Sequence, residues 1–259
     1  MSHSRAAHPR ARRVYGQNFL AEPAAVRQVV AAARIAPGTL VVEVGAGRGV
    51  LTAELLRHRA RVIAYEVDPA MAAALPEHRR LTVRPQDFLG AQPPREAFAV
   101  VGNIPYALTS AVVGWCLAAP GLVSATLLTQ LEYARKRAGD YGRWSRLTVA
   151  TWPVFDWYLA GRVARTAFRP VPRVDGGVLR LVRRAVPLVD PGGLGQYQDI
   201  VRLGFSGVGG SLHASLTRRY PARRLDPAFR ALRLDPRTPV GLVWPEQWLS
   251  LHRLLQANR

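Results

Sequence analysis

With 259 residues, 49% of them hydrophobic, the chain is long enough to bury a full core, and one large domain with a smaller one is the natural expectation. Lysine and arginine number 36 against 17 acids, a formal net charge of +19, which points to a polyanionic partner: RNA, DNA or an acidic membrane. A single cysteine, Cys116, excludes an internal disulfide and a cysteine metal cluster, and no His/Cys/Asp set has ligand spacing, so no metal is expected.

Nearly all the positive charge is arginine, lysine occurring only at Lys136, and arginine forks onto phosphates and stacks on bases. Residues 1–13 read as a flexible basic arm with no apolar stretch behind them to serve as a signal peptide, so the cytoplasm is the expected compartment. The longest apolar region, Phe98 to Thr129, is broken by Asn103, Pro105, Gly114, Pro120 and Gly121, so no membrane partner is expected.

From there the pattern alternates. Glu22 to Ile35 has helical apolar spacing with Pro23 in its first turn, and Leu40 to Val44 reads as a short buried strand. A glycine turn leads into a helix from Val50 to His58. Arg61 to Tyr65 is the next strand, Pro69 to Leu75 helical, Leu81 to Arg84 extended, and Phe98 to Val101 a strongly apolar strand. Ala107 to Ala118 is helical, with Cys116 as core packing, and Leu122 to Thr129 extended. Such alternation predicts an α/β fold with a parallel sheet. Extended segments around Leu147 to Leu159 and Gly177 to Val182 would complete the sheet. Pro187, Pro191 and Gly192-Gly193 then read as a break before a helical, arginine-rich region. The expected division is a 1–13 arm, a 14–184 α/β domain and a 185–259 helical domain.

Four strand ends carry the chemistry. The first is Glu43-Val44-Gly45-Ala46-Gly47-Arg48-Gly49 before a helix; a tight strand-to-helix connection explains it as well as a nucleotide turn does. Its Gly-x-Gly-x-Gly spacing departs from the dinucleotide pattern. Glu66 ends the second strand, where an acid binds ribose hydroxyls, and Gln86-Asp87-Phe88 follows the third, an acid and an aromatic suited to an adenine. The fourth delivers Asn103-Ile104-Pro105-Tyr106. Alone this is an ordinary strand-end turn with a capping Asn, but it also sets an amide, a carbonyl and a ring together, which suits an exocyclic amine on a flat base. Pro105 fixes the backbone between them.

This ordering resembles the class I, Rossmann-like S-adenosylmethionine-dependent methyltransferases, and the Asn-Ile-Pro-Tyr form resembles their rRNA adenine branch. Two further segments are similar to that branch: Tyr15-Gly16-Gln17-Asn18-Phe19-Leu20, and Phe168-Arg169-Pro170-Val171-Pro172-Arg173-Val174-Asp175. Without the family, the first is a helix-entry turn and the second a rigid extended loop. The segments Gln130 to Arg137, Gly142 to Ser145 and Ser206 to Leu212 look like the actinomycete Erm type. The resemblance spans about residues 14–256, but lacks the long Gly/Arg tail that some actinomycete relatives carry, leaving the arm and the small domain to hold RNA.

The resemblance implies S-adenosylmethionine as cofactor, held by Asn18, Leu20, Gly45, Gly47, Glu66, Asp87 and Asn103. It implies Asn103 and Ile104 as the residues that orient the amine, and Tyr106 and Phe168 as platforms for a flipped base. The activity it implies is methylation of the N6 amino group of one adenine in 23S rRNA, with macrolide resistance as the outcome; a monomer is expected. The alternatives are a small-subunit rRNA dimethyladenosine transferase and a non-catalytic RNA-binding ribosome-assembly factor with the same fold.

Overall fold

The structure is a computed structural model that describes residues 18–207 and 210–257. The 1–13 arm, Tyr15-Gly16-Gln17 and Val208-Gly209 of the motifs above lie outside the described residues.

Nine strands are described: β1 (Phe19–Leu20), β2 (Leu40–Val44), β3 (Arg61–Tyr65), β4 (Leu81–Arg84), β5 (Phe98–Asn103), β6 (Leu122–Gln130), β7 (Phe155–Val163), β8 (Phe168–Arg169) and β9 (Gly176–Arg183). Seven form one sheet in the order β4-β3-β2-β5-β6-β9-β7, and β1 pairs with β8 in a separate ribbon. The pairings β4-β3, β3-β2, β2-β5 and β5-β6 are all parallel. All five residues of β2 are buried, as expected of an inner parallel strand covered on both faces. The α/β class expected from the sequence is the one observed.

The order of the strands creates the site. From β2 the chain steps outward through β3 to β4, then returns to the other side of β2 with β5 and β6, so β2 and β5 flank the point where the winding reverses. Ligands in open parallel sheets bind in the crevice at the carboxyl ends of such strands. Val44 is registered with Gly102, which brings the loops after β2 and β5 side by side. Gly102 permits this: a Cβ there would stand 2.7 Å from the Val44 carbonyl.

Helix α1 (Pro23–Ala33) leads into β2, and helices α2 (Val50–Arg57), α3 (Pro69–Ala73) and α4 (Thr109–Ala118) connect β2 to β3, β3 to β4 and β5 to β6. Pro23 opens α1, where the missing N–H has no partner to lose, and Gly49 precedes α2 at φ 75°. Cys116 is fully buried, and burial pushes its thiol up to about 12.

The later region departs from the sequence reading. Leu131 to Ala138 forms α5, and Arg146–Thr151 forms α6 where an extended segment is expected; only Phe155–Val163 is a strand there. Ser145 caps α6 by accepting from Thr148 N, and the Thr148 and Thr151 hydroxyls donate to the Arg137 and Leu147 carbonyls, so β-branched residues settle into helix. Pro191-Gly192-Gly193, read as a break, opens α7 (Pro191–Gly204), whose Tyr197, Ile200 and Val201 are buried. Burial of that apolar face outweighs the glycines' low helix propensity. Helices α8 (Leu212–Leu216), α9 (Ala222–Ala231) and α10 (Pro245–Ala257) follow.

Contacts divide the chain into two compact units. One contains residues up to Ala134 together with Leu159–Leu181; the other contains Arg135–Tyr158 with the residues from Val182 onward. The first has its own core, including Val29, Val41, Leu55, Val101, Leu128 and Phe168. The second packs Val149, Tyr197, Leu212, Phe229 and Trp248. Among the described residues no helix is long and apolar enough to cross a membrane.

Candidate active site

Two adjoining hollows open at the β2/β5 crevice, both within the first unit. One is lined by Asn18, Phe19, Leu20, Gly45, Gly47, Arg48, Asn103, Ile104, Pro105, Tyr106 and Phe168. The other, about 530 Å³, is lined by Gly45, Tyr65, Glu66, Asp87, Phe88, Pro105, Tyr106 and neighbours. Gly45, Pro105 and Tyr106 belong to both. Every residue expected at the site therefore lines one hollow or the other, and Tyr106 lines both.

At the end of β5, Asn103 Nδ2 donates to the Asn18 carbonyl at 2.7 Å. That bond fixes the amide, because the group that donates must be the NH2, and Oδ1 is left as an acceptor. The next residue is anchored by Ile104 N–H donating to the Leu128 carbonyl at 3.0 Å, its side chain buried. Among the described residues no donor reaches Asn103 Oδ1 or the Ile104 carbonyl. Pro105 at φ −54° leads into the short 3-10 turn Tyr106–Leu108.

The Tyr106 ring is half-buried and lines both hollows, and its hydroxyl is buried with no hydrogen-bond partner among the described residues. Burial raises its pKa above the ordinary tyrosine value, and the negative charge of Asp175 adds to this. Asp175 is held as a carboxylate by the Arg165 N–H and the Arg162 guanidinium, which depress its pKa. Its own carbonyl accepts from Leu131 N–H.

The glycine turn is braced by Glu66. One of its carboxylate oxygens accepts from Gly47 N–H at 2.7 Å and the other from Asp68 N–H at 2.9 Å, and the residue is 1% exposed. Glu66 thus shapes the turn as well as lining the larger hollow. Gly45 and Gly47 have φ of 69° and 53°, a region closed to most side chains. A Cβ on Gly47 would press on the Phe19 ring at 3.2 Å.

Asp87 is exposed and caps the turn after β4 through Leu89 N–H at 2.9 Å. Phe88 is buried with ring partners Tyr65 and Trp115, at centroid distances of 5.7 and 4.4 Å. Phe168, expected as an open platform, is 1% exposed and sits in the core with Leu20. Its contribution to the hollow is a wall.

Sequence reasoning does not single out Glu43. It is fully buried beneath the glycine turn, where one oxygen accepts from the Thr52 hydroxyl at 2.6 Å and the other has no partner among the described residues. Burial pushes its carboxyl up to about 7 against the lowering effect of the Thr52 bonds, and the Glu66 charge raises it further. Its position at the head of the glycine motif is the available signal.

Several arginines are engaged inside the second unit. Arg135 pairs with Asp140 and lies over the Tyr141 ring, Arg137 donates to Ser145 Oγ, and Arg224 donates to the Leu255 carbonyl. Arg219 stands 3.9 Å from Asp199. Arg218 and Arg223 are exposed. Among the described residues no three His, Cys, Asp or Glu side chains group as metal ligands.

The family model described as "Ribosomal RNA adenine dimethylase" matches residues 8–257. The chain belongs to this family. Within it, the chain is of the Erm type: it is 55% identical over 256 residues to an rRNA adenine N-6-methyltransferase of Streptomyces fradiae, covering 96% of this chain and 80% of the relative. It is 48% identical over 254 residues to one of Saccharopolyspora erythraea, covering 96% and 67%. The crystal structure of the 23S rRNA methyltransferase ErmE superposes with a TM-score of 0.88 at 48% identity, covering 92% of this chain and all of that one. The rRNA adenine dimethylase family is one of Rossmann-like class I methyltransferases, so the crevice between β2 and β5 is the place to look for its chemistry.

Proposed function

We propose that this chain transfers a methyl group from S-adenosylmethionine to the 6-amino group of a specific adenine in 23S rRNA, conferring resistance to macrolide-type antibiotics. One observation carries the reading: two unengaged acceptors, Asn103 Oδ1 and the Ile104 carbonyl, stand beside the Tyr106 ring. An adenine amine has two hydrogens to give and a flat ring to stack. The names of the relatives support an rRNA adenine as the substrate, and the structure of the 23S rRNA methyltransferase ErmE supports 23S rRNA in particular.

The residues of the larger hollow fit the cofactor. The positive-φ glycines let a ligand approach the backbone, Glu66 keeps a second lone pair on each oxygen for ribose hydroxyls, and Asp87 Oδ2 is available to an adenine amino group. Asn18 and Leu20 line the smaller hollow, beside Gly45 and Gly47. When bound, S-adenosylmethionine would supply a sulfonium methyl and be left as a neutral thioether, so the amine need not be deprotonated first and loses its proton to solvent after transfer.

The protein's task is then positioning. Asn103 Oδ1 and the Ile104 carbonyl accept the two amine hydrogens and draw the nitrogen lone pair out of the ring and toward the donor side. Tyr106, shared by both hollows, stacks on the base and sets its depth; Phe168 backs it from the wall. The catalytic work belongs to the first compact unit, and the helical segment 185–259, with Arg218 and Arg223 exposed, would help hold RNA. An enzyme acting on ribosomal RNA works in the cytoplasm, and a monomer suffices for this chemistry.

The test is methyl transfer by the purified protein to 23S and 16S rRNA fragments, followed by mass spectrometry of the nucleosides. Methylated adenosine in the 23S fragment alone is the expected result. Methylation of 16S instead would assign the chain to the small-subunit reaction, and no transfer to either would remove the enzymatic reading.

A further inference from the structure

The β1-β8 ribbon presents two faces. Phe19 is registered with Arg169 and Leu20 with Phe168. Directly opposed residues of an antiparallel pair project on the same side, with Cβ atoms about 4.5–5.5 Å apart. Leu20 and Phe168 make the inner face, 3% and 1% exposed. Phe19 and Arg169 therefore share the outer face, Phe19 half-buried and Arg169 exposed.

A third residue joins them from the glycine turn. The Arg48 guanidinium lies over the Phe19 ring at 5.0 Å from its centroid, within cation-π range, and Arg48 is exposed. The Arg169 fork is held in place by Nη1, which donates to the Thr166 and Phe168 carbonyls at 2.8 Å each. Its Nε and Nη2 have no protein acceptor among the described residues, and neither Arg48 nor Arg169 has an ion-pair partner there. In a chain with twice as many bases as acids, lacking an acid partner is ordinary; location is what distinguishes these two. Phe19 and Arg48 line the same hollow as Asn103 and Tyr106.

The geometry points to an Arg48–Phe19–Arg169 strip that grips the RNA phosphates flanking the target adenosine. This rests on the functional reading above. A nucleotide inserted base-first into the hollow leaves its own and its neighbour's phosphate at the rim, where two pre-positioned guanidinium forks match them. The Phe19 ring, half-buried beneath the Arg48 fork, adds an apolar surface for an adjacent base or ribose. Asn18, which holds the Asn103 amide, directly precedes Phe19, so a phosphate bound at the strip bears on the same short segment that orients the amine acceptor.

The test uses the full chain with Arg48→Gln, Arg169→Gln and the double variant. A 23S rRNA hairpin fragment is the RNA probe, and S-adenosylmethionine binding is measured separately by calorimetry. The double variant is expected to bind the hairpin at least tenfold more weakly. Its log-affinity against log-salt plot should be shallower by about 0.7 to 0.9 for each phosphate no longer neutralised, with cofactor affinity within twofold of wild type. Turnover at saturating RNA should fall less than kcat/KM, and the Arg48→Lys, Arg169→Lys variant, which keeps charge without the fork, should recover part of the deficit. Unchanged RNA affinity and salt slope would overturn the proposal, as would a tenfold loss of cofactor affinity, which would make Arg48 a cofactor ligand. A wild-type protein that leaves 23S RNA unmethylated removes the functional reading; a methylating wild type with indifferent arginine variants removes only the strip.

Discussion

Asn103 and Asn18 are joined by a hydrogen bond spanning 85 positions of the chain, from the side-chain Nδ2 of one to the carbonyl of the other at 2.7 Å. It settles which end of the Asn103 amide faces the hollow. Replacing Asn103 therefore separates two losses. Asn103→Ala removes both acceptor and tether, and turnover is expected to fall about 10²- to 10³-fold, on the scale of removing one preorganised hydrogen-bond partner from a transition state. Asn103→Asp keeps an acceptor but cannot donate to Asn18, so it should lie between alanine and wild type. Single-turnover rates with calorimetric cofactor affinities decide: parallel loss of both would make Asn103 chiefly a pocket residue.

Glu66 answers to two demands, bracing Gly47 and Asp68 through their N–H groups and facing the larger hollow. Glu66→Ala should weaken S-adenosylmethionine binding by roughly 1.5 to 3 kcal/mol, the range for hydrogen bonds to a charged group, and lower the unfolding temperature as well. Calorimetry showing wild-type affinity would take Glu66 out of the binding role and leave it as a loop brace.

Glu43 makes stability depend on pH. Its folded pKa is raised by burial from 4.5 to about 7, so the folded protein holds a proton that the unfolded chain releases. The stabilisation this gives is fully present below about pH 4.5 and is lost as pH rises to about 7, amounting to roughly 3 kcal/mol at 1.36 kcal/mol per unit. Glu43→Gln keeps the acceptor for Thr52 without the titration. Denaturant unfolding at pH 5 and pH 8 should therefore show a smaller loss of stability in the variant than in wild type, and equal losses would show that Glu43 is not the titrating group.

Phe168 is buried in the core while its ring walls the smaller hollow. Phe168→Ala is expected to cost about 3 to 5 kcal/mol of folding stability, which obscures any reading of activity. Phe168→Leu, milder by roughly a factor of two or more, leaves a folded protein in which a stacking role can be read. If the ring also supports the base, turnover in the leucine variant drops with cofactor affinity intact; full activity would confine Phe168 to packing.

The parallel half of the sheet is legible in the sequence because its physics is local. Leu40–Val44, Arg61–Tyr65 and Leu81–Arg84 are short apolar or alternating runs bounded by glycine, proline or charge, and they begin and end where their pattern does. Site residues at strand ends inherit that clarity: Gly45, Glu66 and Asp87 follow a strand each, and Asn103 ends one. The α6 helix and the start of α7 are not legible, since threonines and a Pro-Gly-Gly start argue locally for other conformations, and the Ser145 cap together with burial of Val149, Tyr197 and Ile200 reverses the balance. Two-residue strands carry no periodicity, so the pairing of Phe19 with Arg169 leaves no trace along the chain. Nor do the backbone partners of Glu66, because any acid could have met them.

The β1-β8 ribbon also sets a timetable. During synthesis the chain emerges from its first residue onward, and Leu20 must wait for Phe168 before its ribbon partner exists. A nascent chain stopped after β6 would already hold the parallel strands β2 to β6 and the Asn103 loop, yet no second strand to close the hollow beside Tyr106. The site is thus completed late: an unfinished chain has the means to begin gathering a cofactor-binding crevice before it has the wall and rim that would admit RNA.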